Sequence, residues 1–201
     1  MKKLLFPLAV AVTVVLSAFT YNIVLPIGAE MPLKDRKMKD VSGVEVSLSD
    51  ARKAKGLLVM FSCNTCPYVI KNQQRTKDIS AYAQQKGLGV ILINSNEGGR
   101  SGDDAFNAMQ AYAKKQDYNW YYVVDKDSKM ADAFGATRTP ECYLFNSDGK
   151  LVYHGAIDDN PGNESAANRR HLKIAMDELL SAKEITIAST RSVGCAIKRK
   201  S

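Results

Sequence analysis

Two cysteines three residues apart, in Cys63-Asn64-Thr65-Cys66-Pro67, are the most reactive pair in the sequence. They follow a short apolar run, Gly56 to Phe61, and precede a long polar stretch with helical spacing. A helix start offers free N–H groups and the positive end of the helix dipole, and both favour a thiolate. In a pair of this kind the first cysteine is the usual nucleophile, its pKa lowered well below the free value of about 8.5. The second is placed to attack a mixed disulfide and release the product. Cys63 is therefore the candidate nucleophile and Cys66 the candidate resolving thiol. Pro67 suits a first helical turn, where its missing N–H costs least.

The same spacing also serves a structural disulfide, half of a zinc site or two inert thiols. Zinc wants four ligands, usually from a second cysteine pair or a histidine pair. Only Cys142, Cys195, His154 and His171 remain, each isolated in sequence. The strand–thiols–helix context favours redox chemistry, which needs neither an organic cofactor nor a metal. A second feature is Thr139-Pro140, directly before the apolar run Cys142 to Phe145. A proline entering a central strand is a candidate cis peptide, with an ordinary trans turn as the alternative. Cys142 alternates with Leu144 and reads as a small buried hydrophobe. Cys195 reads as a buried tail cysteine, or as one that forms a disulfide with another cysteine or stands as a third redox thiol. His154 follows a strand and could approach the pair. Tyr118, Trp120, Tyr121 and Tyr122 read as core and rim, not as a stacking face for nucleic acid.

These groups need elements to place them. Gly56–Phe61 and Leu88–Ile93 are apolar runs of the kind buried on both faces of a sheet. A helix is expected over 66–85, closed by Lys86-Gly87. Val44–Leu48 alternates like a strand. Asp103-Asp104 is expected to cap a helix that carries Phe106, Met109 and Ala113 on one face. Tyr121–Val124 is strand-like. Ser128 is expected to cap a short helix ended by Gly135. Cys142–Phe145 and Leu151–Tyr153 should form a hairpin about Asn146-Ser147-Asp148-Gly149. A last helix is expected over 165–180. The order predicts one α/β domain, a central mixed β-sheet flanked by helices.

At 201 residues, 45% hydrophobic and 24% charged, the chain is too long and too apolar for a disordered segment or a disulfide-framework mini-protein. The net charge of +7 is mild, and Lys198-Arg199-Lys200 accounts for part of it, so a solvated surface explains it better than nucleic-acid binding. Met1-Lys2-Lys3 followed by apolar Leu4–Phe19 matches a secretory leader. It is short for a spanning helix, which needs roughly 20 residues. Its cleavage site is poorly marked, so an uncleaved anchor formed by residues 4–19 is the alternative. The expected division is a leader or anchor over 1–20, a linker over 21–32, the main domain over 33–183 and a tail over 184–201. Export, to the periplasm or an equivalent space, would let disulfides persist.

Phe61-Ser62-Cys63-Asn64-Thr65-Cys66-Pro67-Tyr68 together with Thr139-Pro140 resembles the thioredoxin superfamily, and within it the peroxiredoxin-like redoxins. Ile93-Asn94-Ser95-Asn96, Gly149 to Tyr153, Gly155 to Asp159 and Gly194-Cys195-Ala196-Ile197-Lys198 fit the same group, so the likeness covers 33–198. It implies a thioredoxin-like fold and a dithiol–disulfide pair at Cys63 and Cys66. It further implies a cis Pro140 packed against the pair, with the Thr139 backbone presented to an incoming peptide or thiol. The implied partners are protein or small-molecule disulfides and thiols, and a reducing partner. Many thioredoxins keep a buried acid just upstream of the pair, but Gly56–Ser62 has no carboxylate, which leaves Glu141 as the candidate proton acceptor. Arg138 stands where relatives are expected to have cysteine, and either supports a thiolate by its charge or faces solvent. A thiol peroxidase is one alternative; the other is a copper-binding thioredoxin-like protein, since Cys63, Cys66 and His154 together resemble the copper-delivering relatives of thioredoxin, which however set three residues between their cysteines. Peroxiredoxins proper set a threonine and a proline where this chain has Met60 and Gly56, which counts against efficient peroxide reduction.

Overall fold

The computed structural model describes residues 24–200. The leader expected over 1–20 lies outside the described residues. In chain order the strands are β1 Met38–Lys39, β2 Glu45–Val46, β3 Leu57–Phe61, β4 Gly89–Asn94, β5 Tyr121–Val124, β6 Arg138–Thr139, β7 Glu141–Phe145, β8 Leu151–Gly155 and β9 Cys195–Ala196. The α-helices are α1 Leu48–Ala51, α2 Pro67–Lys71, α3 Gln73–Gln85, α4 Phe106–Lys115, α5 Lys129–Phe134 and α6 His171–Leu180. Five strands form the central sheet in the order β5-β4-β3-β7-β8. β3, β4 and β5 run parallel, while β7 is antiparallel to both β3 and β8, so the sheet is mixed as expected.

β3 is the middle strand, and every one of its residues is fully buried. Its alternate side chains feed two cores. Leu58 and Met60 pack under α3, α4 and α6 with Ile79, Met109, Leu172 and Met176. Leu57, Val59 and Phe61 face α1 and α5 with Leu48, Met130, Phe134 and Tyr143. This explains the unbroken apolar run, since a strand covered on both faces has no polar side to show. Burying one such side chain is worth about 1.5–3 kcal/mol, which fixes the level at which β3 ends and the thiols begin.

Several elements depart from their expected bounds. The helix expected over 66–85 breaks at Asn72, a residue buried to 1%. The Asn72 side-chain amide donates to the carbonyls of Tyr68 and Pro161 at 2.7 and 3.0 Å. Leu48 opens α1 instead of ending a strand, with Ser47 and Asp50 forming a capping box. Ser128 makes no side-chain cap; the Asp125 carboxylate accepts the N–H groups of Met130 and Ala131 instead. The last helix begins at His171, after a separate 3-10 turn over Glu164–Ala166. Gly135 does end α5, in the left-handed conformation that glycine adopts at no steric cost.

The ends of the described chain are built into the domain. From the expected linker, Gly28 N–H donates to Leu151 and Met31 N–H to Gly149, and Met31 is buried. The expected tail lies along β8, where His154 exchanges backbone bonds with Ala188 and Thr190. It finishes with Ile197 in the core beside Phe134 and Ala136.

Candidate active site

β3 ends at Phe61, and the Cys63–Cys66 loop follows directly. Ser62 N–H still bonds to Ile93, which carries the strand path up to the first thiol. The chain then turns into α2 with Cys66 at its N-cap and Pro67 in the first turn, as the residue types suggested. Both cysteines are buried, Cys63 2% and Cys66 4% exposed, in a small cluster with Val69.

The loop is held from outside. Asn64 N–H donates to Asp104 Oδ1 at 3.0 Å, its side-chain amide to the Asp103 carbonyl at 2.7 Å, and its Oδ1 accepts the Tyr122 hydroxyl at 2.8 Å. Asp104 is fully buried and also accepts the side-chain amides of Asn94 and Asn96. The pair Asp103-Asp104 does not cap a helix: α4 begins at Phe106, and its N-cap Ala105 makes no side-chain bond. Asp104 is thus a buried acid beside the thiols that sequence reading missed. The available signal was Asn94-Ser95-Asn96 after β4, whose amides need an acceptor when buried.

The Thr139–Pro140 peptide is cis. Thr139, only 1% exposed, approaches both sulfurs. Its Oγ1 is 3.4 Å from Cys63 Sγ, and its carbonyl oxygen is 3.3 Å from Cys66 Sγ. β6 does not leave its edge open. It pairs antiparallel with β9, in the register Thr139↔Cys195 and Arg138↔Ala196. The backbone expected to receive a peptide is therefore already paired with the chain's own C-terminal segment. A Cβ at Gly194 would collide with the Thr139 carbonyl, so the close approach requires glycine there. Arg138 is exposed, and its guanidinium donates to the Gly194 carbonyl at 3.0 Å, which makes it a tie for the tail.

The disulfide departs from the Cys63–Cys66 pairing that the resemblance implied and follows the reading in which Cys195 bonds another cysteine. Cys66 is bonded to Cys195, across 129 residues of sequence, and Cys63 is a free thiol. Burial pushes the Cys63 thiol up, and the Asp104 charge adds to it; the Thr139 hydroxyl and the N–H groups of Cys66 and Thr65 oppose both without prevailing. This corrects the expected acidic Cys63. It lies before the helix rather than at its N-cap, and it is almost wholly removed from water.

Glu141 and His154 meet one another instead of the thiols. Glu141 Oε1 and His154 Nε2 are 2.7 Å apart, and Glu141 Oε2 accepts the N–H groups of Thr137 and Arg138 at 2.9 and 3.0 Å. Burial would raise the Glu141 pKa, but His154 and the two N–H donors outweigh it and hold the carboxyl below its ordinary range. Neither sulfur is among its hydrogen-bond partners. Cys142 is fully buried in the core, with its thiol pushed up by burial. Met60 fills the same core and brings no hydroxyl to the site. Among the described residues no cluster of three or more His, Cys, Asp or Glu is arranged to hold a metal ion.

A family model described as Redoxin matches residues 26–170. The thiol–disulfide oxidoreductase ResA of Bacillus subtilis is 26% identical over 115 residues, 57% of this chain and 60% of its own length. The chain thus spans less than two thirds of that relative. The crystal structure of an uncharacterized conserved protein from Geobacillus kaustophilus superposes with a TM-score of 0.81 at 30% identity, over 87% of this chain and 93% of that one. A thioredoxin-like protein solved in its oxidised form superposes with a TM-score of 0.60 at 18% identity, over 77% of this chain and 98% of that one, and shares the fold.

Proposed function

The chain belongs to the Redoxin family, and on that premise we propose that it is an exported thiol–disulfide oxidoreductase whose reactive groups are Cys63 and Cys66. One observation carries the reading. Cys66 at the N-cap of α2 holds a disulfide bond while a second thiol, Cys63, lies against the same threonine. That is the arrangement thiol–disulfide exchange needs: a sulfur that bonds reversibly, with a neighbour placed to compete for it.

In the forward cycle, which starts once the Cys66–Cys195 bond has been reduced and Cys66 is a free thiol, the Cys63 thiolate attacks a substrate disulfide and forms a mixed disulfide. Cys66 then displaces the substrate and leaves Cys63–Cys66 oxidised, until a reducing partner resets it. Thr139 touches both sulfurs and, with cis-Pro140, forms the docking edge that β9 covers in the oxidised state. Glu141 acts at one remove: it anchors the backbone of Thr137 and Arg138, and so the approach to Thr139. Substrates are protein or small-molecule disulfides, with export following from the leader at 1–20.

The test is turnover of insulin disulfides with a small thiol as reductant, for the chain from residue 24 onward. Wild type should accelerate the reaction, and Cys63→Ser and Cys66→Ser should each return it to the rate of the reductant alone. Unchanged turnover in both variants would refute the assignment.

A further inference from the structure

We propose that Cys195 is a third redox cysteine of this site, competing with Cys63 for the sulfur of Cys66, so that the oxidised protein exists as two disulfide isomers. The inference rests on the oxidoreductase reading and assigns it a further residue.

Three observations carry it. First, the Cys66–Cys195 bond and the free Cys63 thiol share one small cluster, and Cys63 and Cys66 both touch Thr139. Second, Cys195 is held there by more than its sulfur. β9 pairs with β6, Ile197 N–H donates to the Thr137 carbonyl, and Lys198 N–H donates to Asn96 Oδ1. Arg199 binds Asp132 and the Ala136 carbonyl. If the disulfide opens, these contacts keep the Cys195 thiol beside Cys66, so its return is intramolecular and needs no encounter. Third, β9 occupies the Thr139 edge on which an extended substrate would pair, and Gly194 lets it lie flush against that carbonyl. The covalent bond therefore fastens a segment that covers the docking edge.

The step is an exchange with no net oxidation. The Cys63 thiolate attacks Cys66 Sγ along the Cys66–Cys195 bond. The Cys63–Cys66 bond forms, the Cys66–Cys195 bond breaks, and the electron pair leaves on Cys195. The proton lost from Cys63 is recovered by the Cys195 thiolate. No external oxidant or reductant takes part. The exchange releases the tail from its covalent tie and leaves it held by its hydrogen bonds, the Arg199–Asp132 ion pair and the burial of Ile197.

The experiment is disulfide mapping on wild-type chain 24–201, poised in glutathione buffers of graded potential, quenched in acid, alkylated and digested without reduction. The expected result is both linkages, Cys66–Cys195 and Cys63–Cys66, in the oxidised protein, each disappearing as the buffer becomes reducing. Cys66–Cys195 alone, persisting in the most reducing buffer of the series, would make Cys195 one end of a structural bridge and overturn the proposal. Cys63–Cys66 alone, with Cys195 always alkylated, would overturn it as well. Insulin turnover by the same preparation separates the two levels. Turnover with a single isomer refutes only the role of Cys195, whereas both isomers without turnover refute the oxidoreductase reading. Cys63→Ser and Cys195→Ser, each leaving one linkage available, fix the two mass signatures.

Discussion

At the scale of single residues, Cys63 is a thiol kept protonated by its surroundings. Its pKa is raised above the ordinary thiol value, chiefly by burial. The thiolate is the attacking species, so alkylation of Cys63 should speed up steadily with pH through neutrality and still be rising at pH 9. A plateau below pH 8, read by mass at the Cys63 peptide, would contradict this. Asp104 contributes to the same shift by its charge. Asp104→Asn should therefore move the alkylation profile to lower pH. It should also cost about 1–3 kcal/mol in urea unfolding, because a carboxylate that accepts from Asn64, Asn94 and Asn96 gives way to an amide with only one acceptor. Of these residues, Cys63, Cys66 and Pro140 were legible as a pattern of types and spacing. Asp104 was not. Its partner Asn64 is 40 residues away, and two acids ahead of a helical pattern look the same locally whether they cap the helix or reach across to another loop.

At the scale of elements, the segment 137–141 is a bent connection whose backbone donors depend on one carboxylate. Glu141→Gln should cost about 1–3 kcal/mol near pH 7, since Thr137, Arg138 and His154 lose a charged acceptor. The native Glu141 pKa lies below its ordinary value of 4.5, so its contribution is complete above that value and fades as pH falls through the native one. The gap between variant and wild type should therefore close in acid, as urea midpoints measured down the pH scale would reveal. β9 gives a second test. Gly194→Ala places a methyl group against the Thr139 carbonyl, and should lower the fraction of Cys66–Cys195 disulfide in air-oxidised protein. The five sheet strands were visible as apolar runs because the sheet is covered on both faces. The two-residue strands β6 and β9 were not, since so short a pairing has no period of its own and depends on a partner far along the chain.

At the scale of the whole molecule, two ties join distant parts of the chain. Arg75 on α3 and Asp158 after β8 form a buried pair at 2.6 Å, with side chains 6% and 3% exposed. Arg75 also donates to the Asn160 and Pro161 carbonyls. Removing one partner leaves an uncompensated charge in a dry setting, so Asp158→Asn should lose about 3–5 kcal/mol of unfolding free energy. A loss within 1 kcal/mol of zero in urea titration would mean that water reaches the pair. One mixed sheet flanked by helices could be inferred from the order of elements. The placement of the segments at either end could not, because only contacts made in the folded molecule distinguish a strand-hugging segment from a tether.

The second tie spans 129 residues, from Cys66 to Cys195. Polypeptides are made at about 5–20 residues per second, so Cys66 exists for roughly 6–26 s before its bonded partner has been synthesised. During that interval Cys63 is the nearest thiol available to it. The long bond therefore comes into reach only when β9 has been made and laid down beside Thr139. The bond that closes over the site is a record that β9 has been made and docked.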